Sequence, residues 1–179
     1  MVPLKLPDSK GRAIIFVRNG PYNPKKQKIT DVVKCNFIHT DVSLMENDRA
    51  VVAGMISVID FKGLTMDHIM HFTPTIIKKT VTCHQDGYPF RPQAIHFINA
   101  PSAFESFFAV FKSFMNKKLA DRLQIHGSDL TALYKQIPKA AMPNEYGGEG
   151  GPIAELAGIY NSMNEKCRFD EFLKIIDYD

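Results

Sequence analysis

The residue types that do chemistry are few in this sequence, and their spacing is poor for it. Cys83 and His84 are adjacent, but neighbours on a helix point about 100° apart, which separates a thiol nucleophile from its base. His68 and His71 have the i,i+3 spacing of two metal ligands with no identifiable third, and they read as two surface histidines. Tyr146-Gly147-Gly148-Glu149-Gly150-Gly151 has the glycine content of a phosphate-cradling loop. It lacks the Lys-Ser/Thr pair of a P-loop and follows no convincing strand, so it reads as a structural turn. There is no G-x-S-x-G nucleophile elbow and no C-x-x-C pair. The sequence therefore offers no catalytic residues, no metal site and no cofactor, and an α/β enzyme is the weakest reading of it.

What the sequence does offer is an apolar surface in an unusual form. It has 13 Phe and no Trp, and five of those Phe lie between Phe104 and Phe114. Ser102-x-x-Glu105 after Pro101 has the pattern of a capping box, which places a helix start there. At about 100° per residue, Phe104, Phe107, Phe108, Phe111, Phe114 and Met115 fall within an arc of roughly 120°. The other side carries Ser102, Glu105, Ser106, Ala109, Ser113 and Asn116, a mild polar face. Two readings stay open on periodicity alone: a core-packing helix, or a lid with its aromatic face toward a cavity and an outer face able to meet a membrane.

The rest of the chain supplies the frame. With 179 residues, 45% hydrophobic and 23% charged, it has the size of one domain and the composition of a globular protein. A net charge of +3 is too small to argue for nucleic acid, and no apolar run approaches the ~20 residues of a membrane span. Met1 to Arg12 is no apolar leader. Three scattered cysteines, Cys35, Cys83 and Cys167, suit a reducing compartment.

Ala13–Val17 reads as a first strand ending at Asn19-Gly20-Pro21, and Thr30 as the cap of a helix running to about Met45. Ala50–Asp60, rich in β-branched residues, reads as a central strand covered on both faces. Thr65 caps a short helix to Phe72, Thr73-Pro74 opens another to about Gln85, and Gln93–Asn99 is a strand. Leu123–His126 is a short strand, Ser128–Ile137 a helix, and residues 153–178 one or two helices. Strands alternating with helices predict a layered α/β fold with a largely parallel sheet.

The stretch from Ala94 to Gly148 resembles the CRAL-TRIO (Sec14-like) lipid-binding domain, in the pattern of its tocopherol-transfer and retinaldehyde-binding branch. The residues that carry the likeness are Ile98-Asn99 followed by Pro101, the Phe-rich helix ending in Lys117-Lys118 and Arg122, and His126-Gly127. Ile137-Pro138, Met142-Pro143 and Glu145-Tyr146-Gly147-Gly148 follow in the same order. Upstream, Asp60-Phe61-Lys62-Gly63 and Thr73-Pro74 match the family's D-x-x-G and T-P elements. The resemblance runs from about Pro7 to Gly151.

It implies a three-layer α/β/α sandwich, a mostly parallel sheet with an amphipathic gate helix over a hydrophobic pocket, with residues 1–152 as the lipid-binding domain and 153–179 as a helical tail packed on it. The gate is Ala103 to Met115. The pocket wall implied by position comprises Met55, Ser57, Ile59, Phe72, Cys83, Tyr88, Phe90, Ile95 and Phe97, with Phe104, Phe107, Phe108 and Phe111 from the gate. Ser57 or Tyr88 would orient the ligand's polar end.

The resemblance to the tocopherol-transfer branch also implies a basic cluster associated with phosphoinositide head groups, at Arg91, Lys118 and Arg122 with Lys117 beside them, although one position of that cluster is Gln93 here. Lys118 and Arg122, four apart, share one face if the helix continues. The small helical domain that precedes this fold in many relatives is expected to be absent, the chain being a fragment or a short member.

The expected function is to carry a small lipophile, such as a retinoid, carotenoid or tocopherol-like molecule, between membranes. The alternative is a phosphoinositide- or phospholipid-sensing adaptor. The expected setting is a cytoplasmic monomer, transiently at membranes, that binds no nucleic acid.

Overall fold

The structure, a computed structural model, describes residues 1–158 except 19, 21 and 46, and of residue 49 the backbone only. A five-stranded sheet in the order β1-β2-β3-β4-β5 organises it. Strands β2 (Ala13–Arg18), β3 (Met55–Asp60), β4 (Pro92–Ile98) and β5 (Leu123–Ile125) run parallel, and β1 (Val2–Pro3) adds an antiparallel edge. Because sequential parallel strands are joined by crossovers of one hand, the connecting helices gather on one face. These are α1 (Ile29–Met45), α2 (Asp48–Val52), α3 (Met66–His71), α4 (Pro74–Thr82), α5 (Glu105–Ser113) and α6 (Lys117–Ala120). The opposite face is covered by α7 (Thr131–Tyr134), the chain through Met142, and a helical turn over residues 153–158. This is the expected three-layer α/β/α architecture.

Burial on both faces explains why β2 and β3 read as nearly unbroken apolar runs. Ile14, Phe16, Ile56, Val58 and Ile98 point to one side, where they join Leu133, Ile137, Met142 and Leu156 in a continuous core. Ile15, Val17, Met55, Ser57, Ile59, Ile95 and Phe97 point to the other, under the crossover helices. Registry aligns these into rows across the sheet: Ile15–Ser57–Ile95 and Val17–Ile59–Phe97.

Several boundaries differ from the sequence reading. Ala50–Val52 is helical, and Val52 is 84% exposed, so the central strand starts only at Met55. Gly54 makes the break: its φ is +90°, and a Cβ there would lie 2.7 Å from the Arg91 carbonyl oxygen. Thr30 lies inside α1, which begins at Ile29. The Ser102/Glu105 capping box is not formed, since a 3-10 turn over Ser102–Phe104 leads into α5 and neither Pro101 nor Phe104 caps with a side chain.

The helix expected as a gate also ends sooner, at Ser113. Asn116 accepts from the Leu119 N–H and caps a separate helix, α6. Arg122 lies beyond α6, so Lys118 and Arg122 do not share a helix face. The expected helix over Ser128–Ile137 is reduced to α7. Cys167 and residues 159–179 of the expected tail, with Asn19 and Pro21 of the first turn, lie outside the described residues.

Two of the chemistry-bearing positions are structural. His68 is buried and not on the surface. Its Nε2 donates to the Tyr22 carbonyl at 3.0 Å, and its Nδ1 accepts from the Thr65 N–H at 3.1 Å, so the ring caps α3 and pins the loop after β2. The glycine-rich run after Tyr146 packs backbone on backbone: a Cβ on Gly148 would sit 2.0 Å from the Met142 carbonyl oxygen. Tyr146 donates to Asp60, which is 1% exposed and also accepts from Asn99 Nδ2 at 2.7 Å and the Lys62 N–H at 2.9 Å. Asn99 reaches it from a left-handed backbone, φ +52°, a conformation that asparagine tolerates better than most residues. This network locks the C-terminal ends of β3 and β4.

Candidate ligand cavity

Directly after Asp60, Phe61 turns under the crossover helices and becomes the hub of an aromatic cluster. Its ring lies 5.1 Å from Phe97, 5.4 Å and stacked on Phe108, and 6.2 Å from both Phe104 and Phe107. The Phe-rich face of α5 and of the turn that leads into it therefore divides in two. Phe104 and Phe108 are buried against Phe61 and the sheet. Phe107 and Phe111 border open space, with Phe72 set 5.7 Å from Phe107.

That space is a cavity of about 160 Å³ between the sheet and helices α1, α4 and α5. Its floor is the row Ile15–Ser57–Ile95, where the small Ser57 on the central strand leaves room between two isoleucines. Val32 and Val33 of α1, Val81 of α4, and Met115 and Leu119 after α5 complete the apolar wall. Asn36, Thr40, Thr80, His84 and Tyr22 are the polar groups beside Ser57. No Asp, Glu, Lys or Arg side chain borders it. Burial holds the His84 imidazole below its ordinary pKa and raises the Tyr22 phenol. The Tyr22 hydroxyl and the Thr80 hydroxyl are buried without a hydrogen-bond partner.

Of the pocket residues expected from sequence, Met55, Ser57, Ile59, Phe72, Phe90, Ile95, Phe97, Phe107 and Phe111 line this cavity. Four do not. Cys83 is exposed on the outer side of the turn after α4. Tyr88 packs behind Phe90 and donates to the Phe37 carbonyl at 3.3 Å, its pKa raised by burial and by Asp41, so it does not orient anything in the cavity. Phe104 and Phe108 are core. The reading missed Tyr22, Phe61, the α1 valines and His84. Phe61 was visible within the D-x-x-G element, whereas Tyr22 and His84 carry no periodic signal.

The basic residues fall at the opposite end of the sheet from Asp60. Arg91 and Arg122 immediately precede the neighbouring strands β4 and β5. Lys117 and Lys118 are exposed in the first turn of α6, and Arg91 is exposed. Arg122 instead donates to the Pro92 carbonyl, which ties it to the sheet. Among the described residues, no group of three or more His, Cys, Asp or Glu comes together to hold a metal, and no helix is long and apolar enough to cross a membrane.

A mostly parallel sheet with its crossover helices on one face, one of them aromatic, and an apolar cavity between the sheet and those helices define a class of α/β domain with a candidate ligand site. Residues 1–148 match the model of the CRAL/TRIO domain. The chain belongs to the CRAL/TRIO domain family. It is similar to the alpha-tocopherol transfer protein-like proteins of Homo sapiens and Mus musculus, each 33% identical over 146 residues, covering 82% of this chain and 42% of theirs. It is also similar to Clavesin-1 of Rattus norvegicus, 27% identical over 141 residues, 79% of this chain and 40% of that one. The chain thus spans about two fifths of the length of these curated relatives. Among solved structures, the crystal structure of Sfh5 superposes with a TM-score of 0.52 at 17% identity, covering 84% of this chain and 53% of that one, a likeness of fold.

Proposed function

We propose that this chain binds a small neutral lipophile in the cavity behind α5 and hands it between membranes, with α5 as the gate. One observation carries the reading: the cavity is walled by aliphatic and aromatic side chains and bordered by no charged one. Carrying needs no catalytic group. A lipophile burying ~400 Å² of apolar surface gains about 10 kcal/mol, part of it offset by lost translational and rotational freedom. The name of the alpha-tocopherol transfer protein-like relatives supports transfer as the activity.

The cavity of about 160 Å³ is near the ~150 Å³ that accommodates a single benzene ring. A longer ligand therefore requires the Phe107–Phe111 half of the gate to move away from Ile95 and Phe97. In this reading the chain works as a cytoplasmic monomer that meets membranes transiently. Arg91, Lys117 and Lys118 attract it to anionic lipid, each charge worth ~1 kcal/mol near such a surface.

The gathering of Arg91, Lys117 and Lys118 at one end of the sheet favours a second reading, a phosphoinositide-sensing adaptor. Native mass spectrometry with organic extraction of the purified chain separates the two. A co-purified neutral lipophile supports the carrier, and retained phosphatidylinositol supports the sensor. Ester hydrolysis lost on changing Cys83 would overturn both.

A further inference from the structure

The polar groups bordering the cavity are not scattered. Asn36 and Thr40 lie four apart on α1, and Thr80 and His84 lie four apart on α4 and the turn over Cys83–Gly87 that extends it. Residues four apart share a helix face, so two helices each present a polar pair to one apolar chamber. The Thr40 hydroxyl is already committed to the Asn36 carbonyl at 2.9 Å. His84 is held differently. Its ring packs against Phe37 at 4.9 Å and Tyr88 at 5.8 Å, and its Nδ1 lies 3.0 Å from the Thr80 carbonyl oxygen.

A carbonyl only accepts, so Nδ1 carries the ring proton and the neutral imidazole keeps Nε2 as a bare acceptor. The aromatic neighbours and the Nδ1 bond fix the ring's orientation. Thr80, one turn earlier in the same wall, has a buried hydroxyl with no partner, a donor that could complement the acceptor.

We propose that His84 is the polar anchor of the cavity and that its Nε2 accepts a hydrogen bond from the ligand, selecting lipophiles that end in a hydroxyl over those ending in an ether, ester or hydrocarbon. A hydroxyl both donates to Nε2 and accepts from Thr80; an ether or ester only accepts and leaves Nε2 unpaired, and an unpaired buried polar group is costly. A fatty-acid carboxylate meets no cationic side chain in the wall. Ser57 lies on the floor, on the sheet side, and contributes room.

This inference rests on the reading of the cavity as a ligand site, and the test separates the two. Three probes of one shape, 2-naphthol, 2-methoxynaphthalene and 2-methylnaphthalene, are titrated against the full chain by calorimetry. The expected order places 2-naphthol about tenfold tighter than the other two, the value of one well-made hydrogen bond. In His84→Phe, which keeps the aromatic packing, the tenfold preference for 2-naphthol over 2-methylnaphthalene is lost.

A second readout needs no variant: the ¹⁵N resonance of His84 Nε2 is expected to move on adding 2-naphthol and to stay on adding 2-methylnaphthalene. Equal binding of the three probes, an equal loss of all three in His84→Phe, or an unmoved Nε2 resonance overturns the anchor and leaves the cavity reading standing. Failure of every probe to bind overturns both.

Discussion

The two faces of the sheet are built from the same strands and end in opposite states. On one, Ile14, Phe16, Ile56, Val58 and Ile98 close against Leu133, Ile137 and Met142 in a single cluster. On the other, two clusters, one around Phe61 and one around Phe90, stand on either side of a cavity. Close packing is the rule inside proteins, so the open face marks where packing density has been given up. The difference rests on a few choices: Ser57 in mid-row where Ile15 and Ile95 flank it, and an aromatic helix of which only half is anchored.

The largest effect separates the anchored half of α5 from the free half. Phe108→Asp places a carboxylate between Phe61 and Phe97, and loss of a buried Phe alone costs ~3–5 kcal/mol. Thermal denaturation should show the cooperative transition lost or strongly lowered. Phe107→Ser, at the cavity, should melt within a few degrees of the parent yet take up less lipophile in a vesicle transfer assay. Equal effects of the two on stability would erase the distinction.

Next comes pH, acting through the closed side. His96 is fully buried on β4, its Nδ1 3.1 Å from His126 Nε2. Burial first, then the charges of His126 and Arg12, push its pKa from 6.5 down to about 4, and burial lowers His126 as well. Between these values the unfolded chain binds protons that the native pair refuses, so stability is full above pH 6.5 and falls as pH drops toward 4. Melting temperatures across that window should show the slope, and His96→Leu should lessen it, with His84 and His126, also lowered by burial, keeping the rest. A pH-independent melt would place the pair outside the core.

The smallest effect concerns the rim. Lys117→Ala with Lys118→Ala should weaken binding to anionic vesicles several-fold, at ~1 kcal/mol per charge, and leave neutral vesicles unaffected. Arg122→Ala should act through folding, because its guanidinium holds the Pro92 carbonyl.

Much of this comparison was legible in the sequence. Apolar runs revealed strands covered on both faces, and the 3.6-residue recurrence from Phe104 to Met115 revealed one aromatic helical face. The division of that face was not, because an arc of roughly 120° does not say which edge meets the sheet. Ala50–Val52 misled because a β-branched run reads as strand until Gly54, at φ +90°, breaks it. Arg122 misled because α6 ends at Ala120, two residues before it, and its guanidinium turns back to the Pro92 carbonyl. His84 and Tyr22 were silent because a lone polar residue gains meaning only from the walls around it.

The central claim is that the open face is open in order to be filled by a ligand. Ser57→Phe fills the cavity from its floor, and its binding of 2-methylnaphthalene, measured by calorimetry beside its melting temperature, tests this most directly. The account predicts binding reduced more than tenfold with the melting temperature held or raised. Undiminished binding in a folded Ser57→Phe protein would contradict it.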